Sequence, residues 1–120
     1  MKVFDLMNDQ PTHITHFNSD FFLSRVGKMN GESRLSYMQL KKEGVIGYHQ
    51  TTVPQLMVIV EGEGKVRGKK EGYTKIKAGQ AVLWAKDEWH ETKSADGMSA
   101  LVIESEEMTC HITELFDYIN

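Results

Sequence analysis

The chain has 120 residues, 40% of them hydrophobic and 26% charged, with one cysteine. That length holds one domain, which buries roughly two-thirds of the surface its unfolded chain exposes, and leaves no room for a second. Fourteen Lys and Arg against 17 Asp and Glu give a net charge of -3 with no basic concentration, so a phosphate-tracking surface for nucleic acid is not expected.

Cys110 stands alone and closes no intrachain disulfide. The opening residues lack the apolar run of a secretory signal, and the longest apolar runs, 56–60 and 81–85, have strand length, far below the roughly 18 residues of a membrane span. The cytoplasm is the expected compartment, with no membrane partner.

Residues 1–19 show no clean period and are read as an extended arm. From Asp20 onward, strand-like segments are punctuated by Gly, Asn and Asp, giving about eight strands. Residues 21–41 are expected to form a hairpin that turns at Asn30-Gly31. Residues 55–60 end at Glu61-Gly62-Glu63-Gly64, read as a second hairpin turn, and 65–67 end at the loop Gly68 to Gly72. Strands at 73–77, 80–84, 89–93 and 98–104 follow, with turns at Ala78-Gly79 and at Ala95-Asp96-Gly97. At the end, Ile112, Leu115, Phe116 and Ile119 recur at helical spacing, which predicts a short helix over 109–120.

Five histidines are present, and a histidine is more often structural or solvent-facing than a ligand. His13 and His16 would chelate only on a helix, and the arm shows no helical amphipathicity, so a surface pair is expected. His111 is read as a surface or end-packing residue. His49 and His90 stand apart: each opens a strand after a loop, and glycine-punctuated segments follow. The stretch from Gly44 to Ser94 resembles the cupin double motif. His49 and Gly62 occupy the places of that motif's first His and closing Gly, while Thr51 replaces its second His and Gln55 its Glu. Gly79 and His90 match the second half, where Ala85, Asp87 and Ser94 replace Pro, Gly and Asn.

The resemblance implies an all-β fold, a cupin-like double-stranded β-helix (an RmlC-like jelly-roll barrel), here with a short C-terminal α-helix. The parts are an arm over 1–19, a barrel over 20–108 and the helix over 109–120, all in one domain. Cupins hold a divalent transition metal with two His and a Glu from the first motif and a His from the second. Carried onto this chain, His49 and His90 are full ligands, Gln55 offers a neutral carbonyl oxygen and Thr51 a neutral hydroxyl. Without the anionic ligand a divalent ion is uncompensated in a low-dielectric interior. A metal (Fe, Mn, Ni, Cu or Zn) on His49, Gln55 and His90 and a metal-free barrel are therefore equal expectations. Glu88, two residues before His90, is read as a solvated loop acid.

If Gln55 faces inward, so do Met57 and Ile59. The ligand-binding set is then His49, Thr51, Gln55, Met57 and His90, with Trp84 or Trp89 closing a mouth of the barrel. The leading reading is a small cupin that binds a small molecule inside the barrel, with or without a metal; a barrel filled by side chains is the alternative of equal weight. Two further readings are a metal-dependent dioxygenase, isomerase or lyase acting on a small organic substrate, and a ligand-sensing or interaction module. One histidine could serve as general base in a metal-free isomerase, and the residues leave open whether the chain is an enzyme. Cupins commonly pair through edge strands or exchanged N-terminal segments, which implies a homodimer.

Overall fold

The computed structural model describes residues 1–7, 10–70, 72–112 and 114–117. Among them the chain forms eleven strands: β1 (Lys2–Asp5), β2 (Thr12–Ile14), β3 (Phe21–Leu23), β4 (Gly27–Leu40), β5 (Gly44–Gln50), β6 (Gln55–Arg67), β7 (Thr74–Lys77), β8 (Gln80–Trp84), β9 (Trp89–Ser94), β10 (Met98–Cys110) and β11 (Glu114–Asp117). No helix among the described residues is long and apolar enough to cross a membrane.

All pairing is antiparallel. A large sheet runs β11-β1-β8-β6-β10-β4, and a smaller one joins β5, β9, β6 and β7. Strand β6 belongs to both: its first half lies between β8 and β10 and its second half between β7 and β9. Gly62 sits at the crossing with φ +81, and a Cβ there would lie 2.4 Å from the Gly97 carbonyl oxygen. The 61–64 run is therefore a bend within one continuous strand, not the hairpin turn its glycines predict. A residue without Cβ is required because the start of β10 packs directly against this backbone.

Apolar residues one strand apart in register fill the space between the sheets. Val3, Val82, Met57 and Val102 stand side by side across β1, β8, β6 and β10. They join Ile59, Val66, Ile76, Trp84, Met98 and Ala100 in one core. The turns at Ala78-Gly79 and Asp96-Gly97 fall where expected, both glycines having positive φ.

Three expectations are corrected. Asn30-Gly31 lies inside β4, where Gly31 (φ +88) makes a bulge against β10; β3 pairs with β2, not with β4. The C-terminal helix is replaced by strand: Thr109 and Cys110 end β10, and 114–117 pair with β1. So short a segment has too little intrinsic helical stability to compete with an open sheet edge. Residues 113 and 118–120 of the expected helix lie outside the described residues. The arm is not separate from the barrel either, since residues 2–5 form β1 within the large sheet.

Candidate functional site

Pairing of β5 with β9 puts His49 directly opposite His90, with ring centroids 4.4 Å apart. In β9, alternate residues are buried: His90, Thr92 and Ser94 face inward, while Trp89, Glu91 and Lys93 keep some exposure. His90 is only 2% exposed. The buried indole of Trp84, which comes from β8, stacks on its ring at 4.0 Å between centroids. Nδ1 and Nε2 of His90 and Nε1 of Trp84 have no hydrogen-bond partner among the described residues.

Burial, and then the charge of neighbouring His49, push the His90 pKa down from 6.5 to about 4. Near neutrality the ring is thus uncharged, with one N–H donor and one acceptor nitrogen. His49 is exposed, and its Nδ1 lies 2.7 Å from the Gly47 carbonyl oxygen. A carbonyl only accepts, so in the neutral ring Nδ1 carries the hydrogen and Nε2 carries the lone pair. The pair thus combines an outer imidazole with a free acceptor nitrogen and an inner one that stays neutral.

The other predicted residues are distributed as follows. Thr51 is buried just beyond β5, where its hydroxyl donates to the Val53 carbonyl at 2.7 Å. Its backbone binds the 87–88 loop through Thr51 N–H to Glu88 O and Asp87 N–H to Thr51 O. Gln55 is buried on β6, opposite Trp84 in register, and Met57 and Ile59 are buried beyond it. Of the two tryptophans, Trp84 belongs to the core, whereas Trp89 lies on the outer face, stacked on Tyr48 at 5.3 Å. Sequence reasoning missed the polar inward row that continues from His90. Ser94 Oγ donates to the Glu63 carbonyl and accepts from Gly97 N–H, and Thr92 is fully buried between them. Period-two spacing from His90 was the signal for both.

The remaining candidates sit elsewhere. His13 Nε2 meets Asp20 Oδ1 at 2.6 Å, and His13 stacks on Phe22, so it does not form a chelating pair with His16. His111 is exposed at the end of β10. Burial raises the Cys110 pKa, which keeps that half-buried thiol protonated and unreactive.

Glu88 is not a solvated acid. One carboxylate oxygen takes the N-terminal ammonium of Met1 at 2.6 Å and the other accepts from Ala85 N–H. The carboxylate two residues before His90 is therefore committed to an ion pair. Among the described residues, no three His, Cys, Asp or Glu side chains come together as a metal site would require. Two imidazoles, an amide and a hydroxyl already bonded to Val53 supply no negative charge. This donor set does not fit the three-His, one-carboxylate centre that the resemblance implies.

A groove of about 490 Å³ lies away from the histidines. It is bordered by Lys65, Lys75, Lys77 and Lys93 together with Glu63 and Asp96. The histidine pair is the stronger candidate because His90 is buried with both ring nitrogens unpartnered, whereas the groove is walled by long, solvated side chains.

No protein-family model and no curated protein matches the sequence. Solved structures do match. A cupin superfamily protein from Desulfitobacterium hafniense is 12% identical, with a TM-score of 0.59 over 71% of this chain and 77% of that one. An RmlC-like cupin from Shewanella frigidimarina is 19% identical, with a TM-score of 0.59 over 66% and 70%. A protein from Neisseria meningitidis is 24% identical, with a TM-score of 0.52 over 80% and 82%. Two antiparallel sheets that share a bent strand, enclose one core and align with these structures identify the fold of this chain as the cupin jelly roll.

Proposed function

We propose that the chain binds a small organic molecule bearing both a hydrogen-bond donor and an acceptor, at the barrel mouth beside the His49–His90 pair. The observation that supports this is the trio of buried, unpartnered polar atoms on His90 and Trp84. A buried polar group without a partner costs about 1–3 kcal/mol. A ligand that accepts from the Trp84 N–H and exchanges hydrogen bonds with the neutral His90 ring recovers that cost on binding. Met57 and Ile59 give the interior an apolar wall, so the ligand is of mixed character, and the exposed His49 stands at its entrance. In the enzymatic form of this reading, His49 Nε2 takes a proton from the bound molecule while neutral His90 holds it by a hydrogen bond. No metal takes part.

The test is a thermal-shift screen of small hydroxy-carbonyl and heteroaromatic compounds against the wild type and His90→Phe, which keeps an aromatic ring against Trp84. Compounds that stabilise the wild type and not the variant are expected. A screen in which every stabilising compound acts equally on both proteins overturns the proposal. Zn²⁺ or Ni²⁺ at one equivalent is expected to leave the melting temperature unchanged. A saturable rise that is lost in His49→Ala would assign the pair to a metal instead.

A further inference from the structure

On a chain whose net charge is -3, the outer face of the smaller sheet gathers cations from three strands. Lys75, Lys65 and Lys93 stand in register across β7, β6 and β9 and form one row. Neighbouring strands lie about 4.8 Å apart, so the row spans roughly 10 Å. It lies on the opposite face of β9 from His90, because that strand turns His90, Thr92 and Ser94 inward and Lys93 outward.

The row is gathered around one ring. Lys65 Nζ lies 4.6 Å and Lys93 Nζ 5.4 Å from the centre of Tyr73. The Tyr73 hydroxyl fixes that ring by donating to Glu91 Oε1 at 2.6 Å, and the same oxygen accepts from Arg67 Nε at 3.1 Å. The carboxylate of this face is thereby taken, and Lys93 approaches it only to 3.9 Å. Among the described residues, no carboxylate comes within ion-pair distance of Lys65 or Lys75. Like charges directly opposite each other in a sheet are destabilising, and an anion that bridges the three ammoniums removes that cost.

The chemistry of the row selects the anion. Lysine binds phosphate as a compact point charge, whereas a planar carboxylate is matched best by the guanidinium fork, and Arg67 is already on Glu91. A single phosphate group brings at most about two charges near neutrality, fewer than three lysines offer. Two or three linked phosphates match the row in both charge and span. The groove of about 490 Å³ beside the row falls within the roughly 300–1,000 Å³ of small-molecule sites. Glu63 and Asp96 on its border repel a phosphate backbone that would continue past it. The rings of Tyr73 and Tyr48 are already packed against Lys65 and Arg67, so a nucleic-acid strand finds neither a track nor an open stacking platform.

We propose that Lys65, Lys75 and Lys93 form a second binding site, on the outside of the barrel, for the diphosphate or triphosphate group of a small molecule. Titration calorimetry of inorganic triphosphate into the full chain, at low salt, near neutral pH and without divalent metal, is expected to show one saturable site that weakens as salt rises. Orthophosphate and citrate should each bind at least about tenfold more weakly. Lys65→Gln combined with Lys75→Gln should weaken triphosphate binding at least about tenfold, with the circular dichroism of the sheet unchanged. Lys28→Gln, on β4 and away from the groove, should bind as the wild type does. The absence of saturable triphosphate binding overturns the proposal. So does citrate or orthophosphate bound as tightly as triphosphate, a doubly substituted protein that binds like the wild type, or an equal loss in Lys28→Gln.

Discussion

The protonation of His90 sets a pH dependence that can be worked out from its surroundings. In the unfolded chain an imidazole titrates near 6.5, and in the folded protein burial and the neighbouring His49 lower this to about 4. Above 6.5 neither state is protonated there, and the contribution to stability is complete. As the pH falls below 6.5 the unfolded chain takes up a proton that the native ring refuses, so stability is lost progressively down to about 4, where the native ring also titrates. The full loss is on the order of 3 kcal/mol, a large share of the roughly 5–15 kcal/mol available to a domain. For a chain of this length that corresponds to a fall in melting temperature of about 10 °C. Urea unfolding should be measured between about pH 7.5 and 4.5 for the wild type and for His90→Phe. The carboxylates of the two proteins titrate alike, so their common slope cancels. The wild type should lose about 2 kcal/mol more than the variant over that range. At pH 7 the variant should equal or exceed the wild type, because it no longer buries two unpaired nitrogens. Equal slopes in the two proteins would refute the assignment of a buried neutral imidazole.

Two further substitutions test the frame around the site. Gly62→Ala forces a Cβ against the Gly97 carbonyl oxygen at positive φ and should cost at least about 2 kcal/mol in urea unfolding. Gly47→Ala, where nothing lies within 4 Å, should change stability by less than about 0.5 kcal/mol; equal effects would mean that the bend in β6 is not constrained. On the outer face of the smaller sheet, Lys65 stands opposite both Lys75 and Lys93 in register, a row of like charges. Lys75→Glu should stabilise the protein by about 0.5 kcal/mol at low salt, and the gain should vanish in concentrated salt. A gain that survives high salt would point to something other than charge.

The barrel was legible because its signal is local: alternation within strands, and glycines at Ala78-Gly79 and Asp96-Gly97 where the backbone reverses. What was misread depended on partners distant in sequence. Asn30-Gly31 carries the local chemistry of a tight turn, and Gly31 does have positive φ. Yet β10 runs thirteen residues from Met98 to Cys110 and offers β4 a continuous partner, so the glycine becomes a bulge and the strand goes on. Glu61 to Gly64 failed in the same way, since the bend there is set by β10 packing on Gly62 and by β7 and β9 pairing beyond it. The 109–120 segment reads as helix by its own periodicity, but its residues 114–117 meet the free edge of β1. In each case an available edge outweighed a local preference worth less than the hydrogen bonds and burial the edge supplied.

The site followed the same division. His49 and His90 could be paired on the motif alone, and the structure sets them opposite each other across β5 and β9. The partner of His90 could not be foreseen, because Trp84 reaches it from β8, a strand that borders β9 only across the barrel interior. The commitment of Glu88 to the N-terminal ammonium was equally hidden, since Met1 lies at the far end of the chain. That ion pair bears directly on the chemistry. It withdraws the carboxylate two residues before His90 from that ring, which stays neutral and desolvated instead of charge-paired. A neutral imidazole stacked under an indole, with three polar atoms unmet, is a poor contributor to stability and a good receptor for a neutral donor–acceptor group. The stability that His90→Phe gains at neutral pH therefore measures, to first order, what the native site holds in reserve for its ligand.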